Sequence, residues 1–449
     1  MGKIKAALIF LVFLAVVVVT VLFFVFPEKQ NPPAQPVVLN PTVVEGNSSA
    51  LWQNIIPING NNILNKGAAQ LANPPEIIKA VYVTANSAGS KNYMDYLTGL
   101  VKDTEINSAV IDLKNDAGYI SFDTGSEKIK SYGTTKPIYN IDDLVKKLHG
   151  QGIYLIARIE VFKDQSLIKS RPDLAIFDNK KSTEKQKVLW QGEGKTSWLD
   201  PASQEVWNYN IALAQNAIEH GFDEINFDYM RFPADGNIED ASFPFWDQIT
   251  PEHVIIKNFF QKIRQDLPGQ KLSIDLFGYS AIVSNDVGIG QKIEDAFDYF
   301  NYVSPMVYPS HYSPDFLSFK NPADHPYEVI KYTLEQALSR QTAYNSAPME
   351  KPFAFGNKNG FGNFSIAGVV SSSLKDWIEA METLQPQEKI QAKFRPWLQD
   401  FNLGAEYTAD MVKQEIKATA DVLGNDFTGY MLWNPSNVYT KDAILKAAN

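Results

Sequence analysis

The chain has 449 residues, with 51 acidic against 41 basic side chains and a formal net charge of −10. It has no cysteine, which excludes disulfides, thiol catalysis and cysteine-ligated metals. The acidic balance, without a local basic patch, argues against a nucleic-acid partner.

The first element is "MGKIKAALIFLVFLAVVVVTVLFFVFPEK". Lys3 and Lys5 precede an uncharged run from Ala6 to Phe26. A run of about 20 residues is long enough to span a hydrocarbon core as a helix. It exceeds the usual apolar region of a signal peptide, and no small-x-small cleavage site follows it. Residues 1–26 are therefore expected to anchor the chain in the lipid bilayer, with residues 6–26 as the spanning helix; a cleaved signal peptide is the alternative. Lysines on the N-terminal side put the rest of the protein outside the cytoplasm, as a single-pass protein of the cell membrane. Residues 27–76 are rich in Pro, Asn, Gly and Ser, lack clear periodicity, and read as a semi-extended linker.

From residue 77 onward one grammar repeats: a short apolar run, polar residues, then a helical pattern. The runs are "KAVYVTA" (79–85), "SAVIDLK" (108–114), "IYLIARIEV" (153–161), "FDEINFDY" (222–229), "KLSIDLFG" (271–278), "YVSPMVY" (302–308), "KFRPWLQ" (393–399) and "TGYMLWN" (428–434). Most are β-branched or aromatic and bounded by turn residues. Helical patterns lie between them. One starts on Asn140 as a cap, and two start on a cap followed by proline, Asp200-Pro201 and Thr250-Pro251. Another, "TADMVKQEIKATADVLG", precedes the eighth run.

Eight strands alternating with helices predict an α/β fold, a (β/α)8 TIM barrel over residues 77–449. A doubly wound open sheet is the alternative, but "TANSAGSKN" after the first strand is no G-x-G-x-x-G phosphate loop. Long connections follow strands three and six, at residues 162–199 and 309–392. Both leave strand C-termini, where barrel enzymes build substrate clefts.

Those strand ends carry the polar residues. Strand two gives Asp112, Lys114 and Asp116; strand three gives Arg158 and Glu160; strand four gives Asn226 and Asp228. Strand five gives Ser273 and Asp275, and strand six ends at Tyr308 near His311. Strand seven contributes Trp397, Gln399 and Asp400, and strand eight Trp433 and Asn434. Side chains two apart share a face of a strand, so acids from several strands converge on one mouth. Lys114, Asp116, Ser273 and Asn434 read as solvated or loop-capping groups, Glu160 as a partner for Arg158 or Lys114 or a site acid, and Asp400 as either a cap just past its strand or a site acid. Asp228 and Asp275 stand in strongly apolar runs on adjacent strands, with Tyr229 and Arg231 just after Asp228. Burying such carboxylates is costly unless they are paired or used.

Two carboxylates beside an aromatic-walled cleft form the constellation of glycoside hydrolysis, in which one acid protonates the leaving oxygen and the other attacks the anomeric carbon or activates water. Trp190, Trp198, Trp397 and Trp433 are candidate walls for sugar faces. The five histidines show no i, i+4 pair, so neither a zinc hydrolase nor any other metal or cofactor is expected.

The motifs "WLDP" (198–201), "GFDEINFDYMRFP" (221–233), "SIDLFGY", "VSPMVYPSHY", "HPYEVI", "RPWLQDF" and "GYMLWNPSN" come in an order that resembles the bacterial "putative glycoside hydrolase" domain family, over about residues 77–445. The resemblance implies a TIM-barrel glycosidase fold. The chain is also distantly similar to α-amylase-type barrels, which carry a nucleophilic Asp after strand four, an acid/base after strand five and a further acid after strand seven. That likeness implies catalytic roles for Asp228, Asp275 and Asp400. Two positions depart from it. Asn226 stands where that group has an arginine, for which Arg158 on the neighbouring strand could substitute, and Asp275 stands where glutamate is usual. Barrels using strands four and seven would instead pair Asp228 with Asp400. Substrate contacts are expected from Asp112, Arg158, Glu160, Tyr229, Tyr308, His311, Trp397, Gln399 and Trp433. The reading is a membrane-anchored glycosidase acting on extracytoplasmic or cell-envelope polysaccharide. The alternative is a catalytically silent barrel that binds glycans.

Overall fold

The computed structural model describes residues 69–346 and 390–446. Its eight barrel strands are β1 (Ile78–Val83), β2 (Ser108–Asp112), β3 (Tyr154–Glu160), β4 (Glu224–Asp228), β5 (Leu272–Phe277), β6 (Tyr302–Met306), β7 (Lys393–Phe394 and Trp397–Gln399) and β8 (Gly429–Trp433). Each pairs in parallel with its successor, and β8 returns to β1 through Ile78↔Gly429. The barrel is closed, as the eight apolar runs predict. β7 is in two pieces because Pro396 has no N–H to give a ladder. Pairing resumes at Trp397, which meets Met306 of β6, while Gln399 meets Trp433 of β8.

Gly429 shows how tightly the barrel closes. Its φ is 109°, and a Cβ there would collide with the Ile78 backbone carbonyl. Only glycine allows both the backbone angle and the close approach of β8 to β1.

The surrounding helices are α1 (Lys91–Asp103), α2 (Ile141–His149), α3 (Gln204–Glu219), α4 (Glu252–Asp266), α5 (Pro326–Ser346) and α6 (Ala409–Leu423). Asn140 caps α2 as expected, its side chain accepting from the Asp143 N–H at 3.0 Å. Two expected starts move. Ser203, not Asp200, caps α3. The buried Asp200 carboxylate instead accepts from the N–H groups of Ala202, Phe245 and Trp246, at 2.9, 2.7 and 3.1 Å, tying the loop after β3 to the loop after β4. α4 begins at Glu252, so Pro251 occupies the cap position and Thr250 lies outside.

Alternation along the strands sorts side chains into two layers. Ile78, Ala80, Tyr82, Val110, Tyr154, Ile156, Trp397 and Met431 fill the barrel interior. Val81, Val83, Ile111, Leu155, Ile225, Leu398 and Leu432 face the helices in a larger core. The same alternation sends Asp112, Arg158, Asn226, Asp228 and Asp275 inward.

The expected membrane helix at residues 6–26 lies outside the described residues, as does the linker up to residue 68. No helix among the described residues is long and apolar enough to cross a membrane.

Candidate active site

The site is organised by Arg158, which is 1% exposed at the C-terminal end of β3. Register sets its neighbours: Asp112 pairs with Arg158 across β2–β3, and Glu160 with Asp228 across β3–β4. Arg158 Nη1 donates to Asp112 Oδ1 at 2.5 Å, and Nη2 donates to Glu160 Oε1 at 3.2 Å and to Asp228 Oδ2. Nε lies 3.9 Å from Asp275 Oδ2. One guanidinium thus faces four carboxyl groups from four consecutive strands. The expected contact between Arg158 and Asp228 is present.

Three of the four acids have further support. Tyr82 donates its hydroxyl to Asp112 Oδ2 at 2.5 Å. The Tyr229 N–H donates to Asp228 Oδ1 at 2.6 Å. Asn226 donates its amide to Asp275 Oδ1 at 2.8 Å and to the Ser273 hydroxyl at 3.1 Å. Asn226 thus positions the strand-five carboxyl.

Burial pushes the Asp112 carboxyl above its ordinary range, against the pull of Arg158. Asp275 is pushed well above it, first by burial and then by the charge of Asp228. Burial raises Glu160 to about 7, with Asp112 and Asp228 adding and Arg158 opposing. The side chains of Asp112 and Asp228 are each 9% exposed, that of Asp275 1% and that of Glu160 33%. Glu160 is therefore the acid of this group most open to solvent.

The aromatic surroundings are ordered. Tyr82 stacks on Trp433, with centroids 3.9 Å apart, and Arg158 lies 5.2 Å from the Trp433 ring. Tyr308 is buried, near enough to Asp275 and Asp228 to feel their charge. The exposed His311 meets the Tyr308 ring edge-on at 5.1 Å. Tyr229 is half-buried, with a φ of 54° in the left-handed region. That angle is unusual for a bulky residue and turns the chain sharply across the mouth.

Several expected site residues stand elsewhere. Asp400 takes the capping alternative, away from the place that a catalytic acid would need. Inward phase in β7 belongs to Trp397 and Gln399, so Asp400 turns outward. There its oxygens accept from the Thr440 N–H at 2.8 Å and the Thr440 hydroxyl at 2.6 Å, which pins the chain after β8. Gln399 is fully buried and committed to loops: it accepts from the Ser310 hydroxyl at 2.8 Å and donates to Phe401 O at 3.0 Å. Trp397 is 1% exposed and packs edge-on against Tyr82 and Trp433 as interior filling, not a cleft wall. Trp190 and Trp198 are likewise buried. Lys114 is not solvated; it holds Asp164 at 2.8 Å and Glu160 O at 2.7 Å in a buried loop brace.

Sequence reasoning missed Tyr82 and the role of Asn226. A signal existed for Tyr82: it lies two residues after Ala80 on β1, in the phase that points inward toward the next strand's Asp112. Among the described residues no group of three or more His, Asp or Glu side chains could hold a metal ion.

Comparison with known proteins adds a family. The family model described as "putative glycosyl hydrolase domain" matches residues 80–362 and 363–439, most of the chain. None of the curated proteins matches. Similar solved structures include a hypothetical protein from Ruminiclostridium thermocellum ATCC 27405, at 35% identity over 43% of this chain and 96% of that one, with a TM-score of 0.39. The PgaB (BpsB) glycoside hydrolase domain from Bordetella bronchiseptica matches at 11% identity over 83% of this chain and 100% of that one, with a TM-score of 0.49. An α-galactosidase from Thermus thermophilus, TtGalA, in complex with stachyose, matches at 11% identity over 82% and 64%, with a TM-score of 0.40.

Proposed function

The chain belongs to the putative glycosyl hydrolase domain family, and on that footing we propose that its barrel hydrolyses O-glycosyl bonds with Asp228 as the essential carboxylate. The observation that carries this reading is the Arg158 fork, which gathers Asp112, Glu160 and Asp228 at the strand C-termini with Asp275 beside them. A core needs no such concentration of acids, and the desolvation is costly. Asp228, held by Arg158 and the Tyr229 N–H, acts as the attacking carboxylate. Asp275, kept protonated by burial and by the charge of Asp228, donates the proton to the leaving oxygen.

A specific observation favours a second proton donor. Glu160 is a third exposed, neighbours Asp228 in register and is raised to about 7, whereas Asp275 is 1% exposed. The substrate of either scheme is an extracytoplasmic or cell-envelope polysaccharide, reached by a chain that residues 6–26 anchor in the bilayer. Sequence alone supports that anchoring.

The test is a screen of polysaccharides and aryl glycosides followed by isosteric replacement. Asp228→Asn is expected to abolish turnover, by at least about a thousandfold, with an unchanged thermal melt. Near-normal activity in that variant sinks the strand-four carboxylate. Whichever of Asp275→Asn and Glu160→Gln spares activated aryl glycosides but stops poor leaving groups identifies the donor. An intact mass or N-terminal sequence showing that residues 1–26 are cleaved from a freely soluble mature protein sinks the anchor; fractionation with membranes after carbonate washing supports it.

A further inference from the structure

The mouth carries cations that the acid cluster does not use. Arg231 follows the left-handed turn at Tyr229, three residues past Asp228 at the end of β4. The Arg231 guanidinium lies 4.6 Å from the Trp198 ring, 4.8 Å from Phe277 and 5.5 Å from Tyr229. Its polar contact is a single hydrogen bond, Nη1 to its neighbour Phe232 O at 2.9 Å. Lys163, after β3, lies over the same Tyr229 ring, 4.9 Å from its centroid.

Other arginines show what a structural guanidinium does in this fold. Arg158, Arg171, Arg340 and Arg395 each hold a carboxylate. Arg264 spends three nitrogens on Tyr299 O, Gln270 O and the Asn301 side chain. Arg231 keeps most of its five donors uncommitted among the described residues. Glu160, Asp228 and Asp235 act on Lys163 and Arg231 only from beyond ion-pair distance. Burial lowers the pKa of Arg231, a cost that an arriving anion would offset.

Resting on the glycosidase reading, we infer that Arg231 and Lys163 form a subsite for an anionic substituent of the glycan, a carboxylate or a phosphate on the sugar next to the scissile bond. Three aromatic rings confine the Arg231 guanidinium, and its uncommitted donors suit a planar carboxylate or a phosphate. Both cations lie over the Tyr229 ring, which keeps them next to one another at the mouth. Neutral glycans would find the same mouth but leave these donors without a partner.

The test uses the full chain carrying Asp228→Asn, so that binding is read without turnover. Calorimetry compares tetragalacturonate with its methyl ester, and phosphorylated maltotriose with maltotriose. At low salt, the acidic member of at least one pair is expected to bind about tenfold tighter than its neutral twin. Which pair shows the preference tells a carboxylate from a phosphate. Adding Arg231→Gln should abolish the preference and leave neutral binding within about twofold, and Lys163→Gln should reduce it without disturbing the fold. Equal binding of both members in each pair, binding by neither, or equal weakening of acid and neutral twins by Lys163→Gln overturns the subsite. Preference for the acidic twin while the wild-type chain cleaves no glycan separates the outcomes: the subsite stands and the glycosidase reading falls. Cleavage of neutral twins as readily as acidic ones does the reverse.

Discussion

Arg158 meets Asp112, Glu160 and Asp228 while almost wholly buried. Burial alone would weaken its charge, but these carboxylates hold its pKa above the ordinary value. Replacing it by methionine keeps the stem and removes the counter-charge. Arg158→Met is expected to cost about 3–5 kcal/mol near pH 7, because it leaves buried acids uncompensated. At pH 5 the loss should shrink, since Asp112 and Glu160, whose carboxyls burial already raises, can then take up protons. Urea melts at both pH values check this, and an equal loss at both would show that the guanidinium acts by packing alone. Glu160 gives a second pH signature. Its folded pKa of about 7 stands above the ordinary 4.5, chiefly through burial. The folded state therefore keeps a proton that the unfolded chain releases, so Glu160 makes stability fall as pH rises from about 4.5 to about 7. With its side chain a third exposed, the slope is modest. Glu160→Gln should flatten it, and if Glu160 is the proton donor, wild-type activity should fall as pH passes about 7. A pH–stability profile identical in wild type and Glu160→Gln would contradict the raised value.

At the scale of elements, the strands were legible and their depth was not. All eight apolar runs became strands because β-branched and aromatic residues between turn signals leave few other conformations. Alternation already held the answer for β7: Trp397 and Gln399 share a face, so Asp400 has to take the other. Whether Trp397 fills the barrel or walls a cleft depends on Tyr82 and Trp433 packing around it, which one strand's sequence does not contain. The same holds for Asp200, whose capping partners Phe245 and Trp246 are far along the chain. Nor could local pattern reveal the pair that crosses the barrel beneath the site. Glu224 at the start of β4 holds Arg395 from the break in β7, both fully buried, with the Tyr154 hydroxyl 3.3 Å from Glu224 Oε2. Glu224→Gln strips Arg395 of its counter-charge in a place without water access. It should destabilise the barrel by about 3–5 kcal/mol while the residual folded protein keeps its kcat, because Glu224 touches none of the Arg158 contacts. Denaturant melts and kinetics on the same preparation check this. A variant as stable as wild type would mean that Arg395 is content with the ring of Tyr302, 3.9 Å away.

On the scale of the whole molecule, parallel strands give the barrel a mouth and a floor, separated by roughly 20 Å for strands of five or six residues. The acids lie at the mouth. The chain leading into the barrel is fastened at the floor. Asp223, just before β4, accepts from the Leu71 N–H at 2.6 Å, the Leu155 N–H at 2.7 Å and faces His149 Nε2 at 3.0 Å. Gln70 donates to Phe222 O at 3.0 Å, and Leu71 packs against the barrel-interior cluster. Residues 70 and 71 thus plug the end opposite the site, and a tether upstream of them would leave the mouth facing away from its attachment. A chain beginning at Ala69 and one beginning at Ile77 separate the plug from the catalysis. Losing Leu71 removes a charge-assisted hydrogen bond and part of an apolar side chain, so the shorter chain should be less stable by about 1–3 kcal/mol. Both should act on one soluble glycan with kcat/KM within about twofold of the full chain, because neither deletion reaches the Arg158 fork. Equal stability of the two chains would mean that the Leu71 contacts contribute nothing. A fall in kcat/KM with stability intact would mean that the floor and the mouth are coupled through the barrel interior, by way of Tyr154 and the Glu224–Arg395 pair.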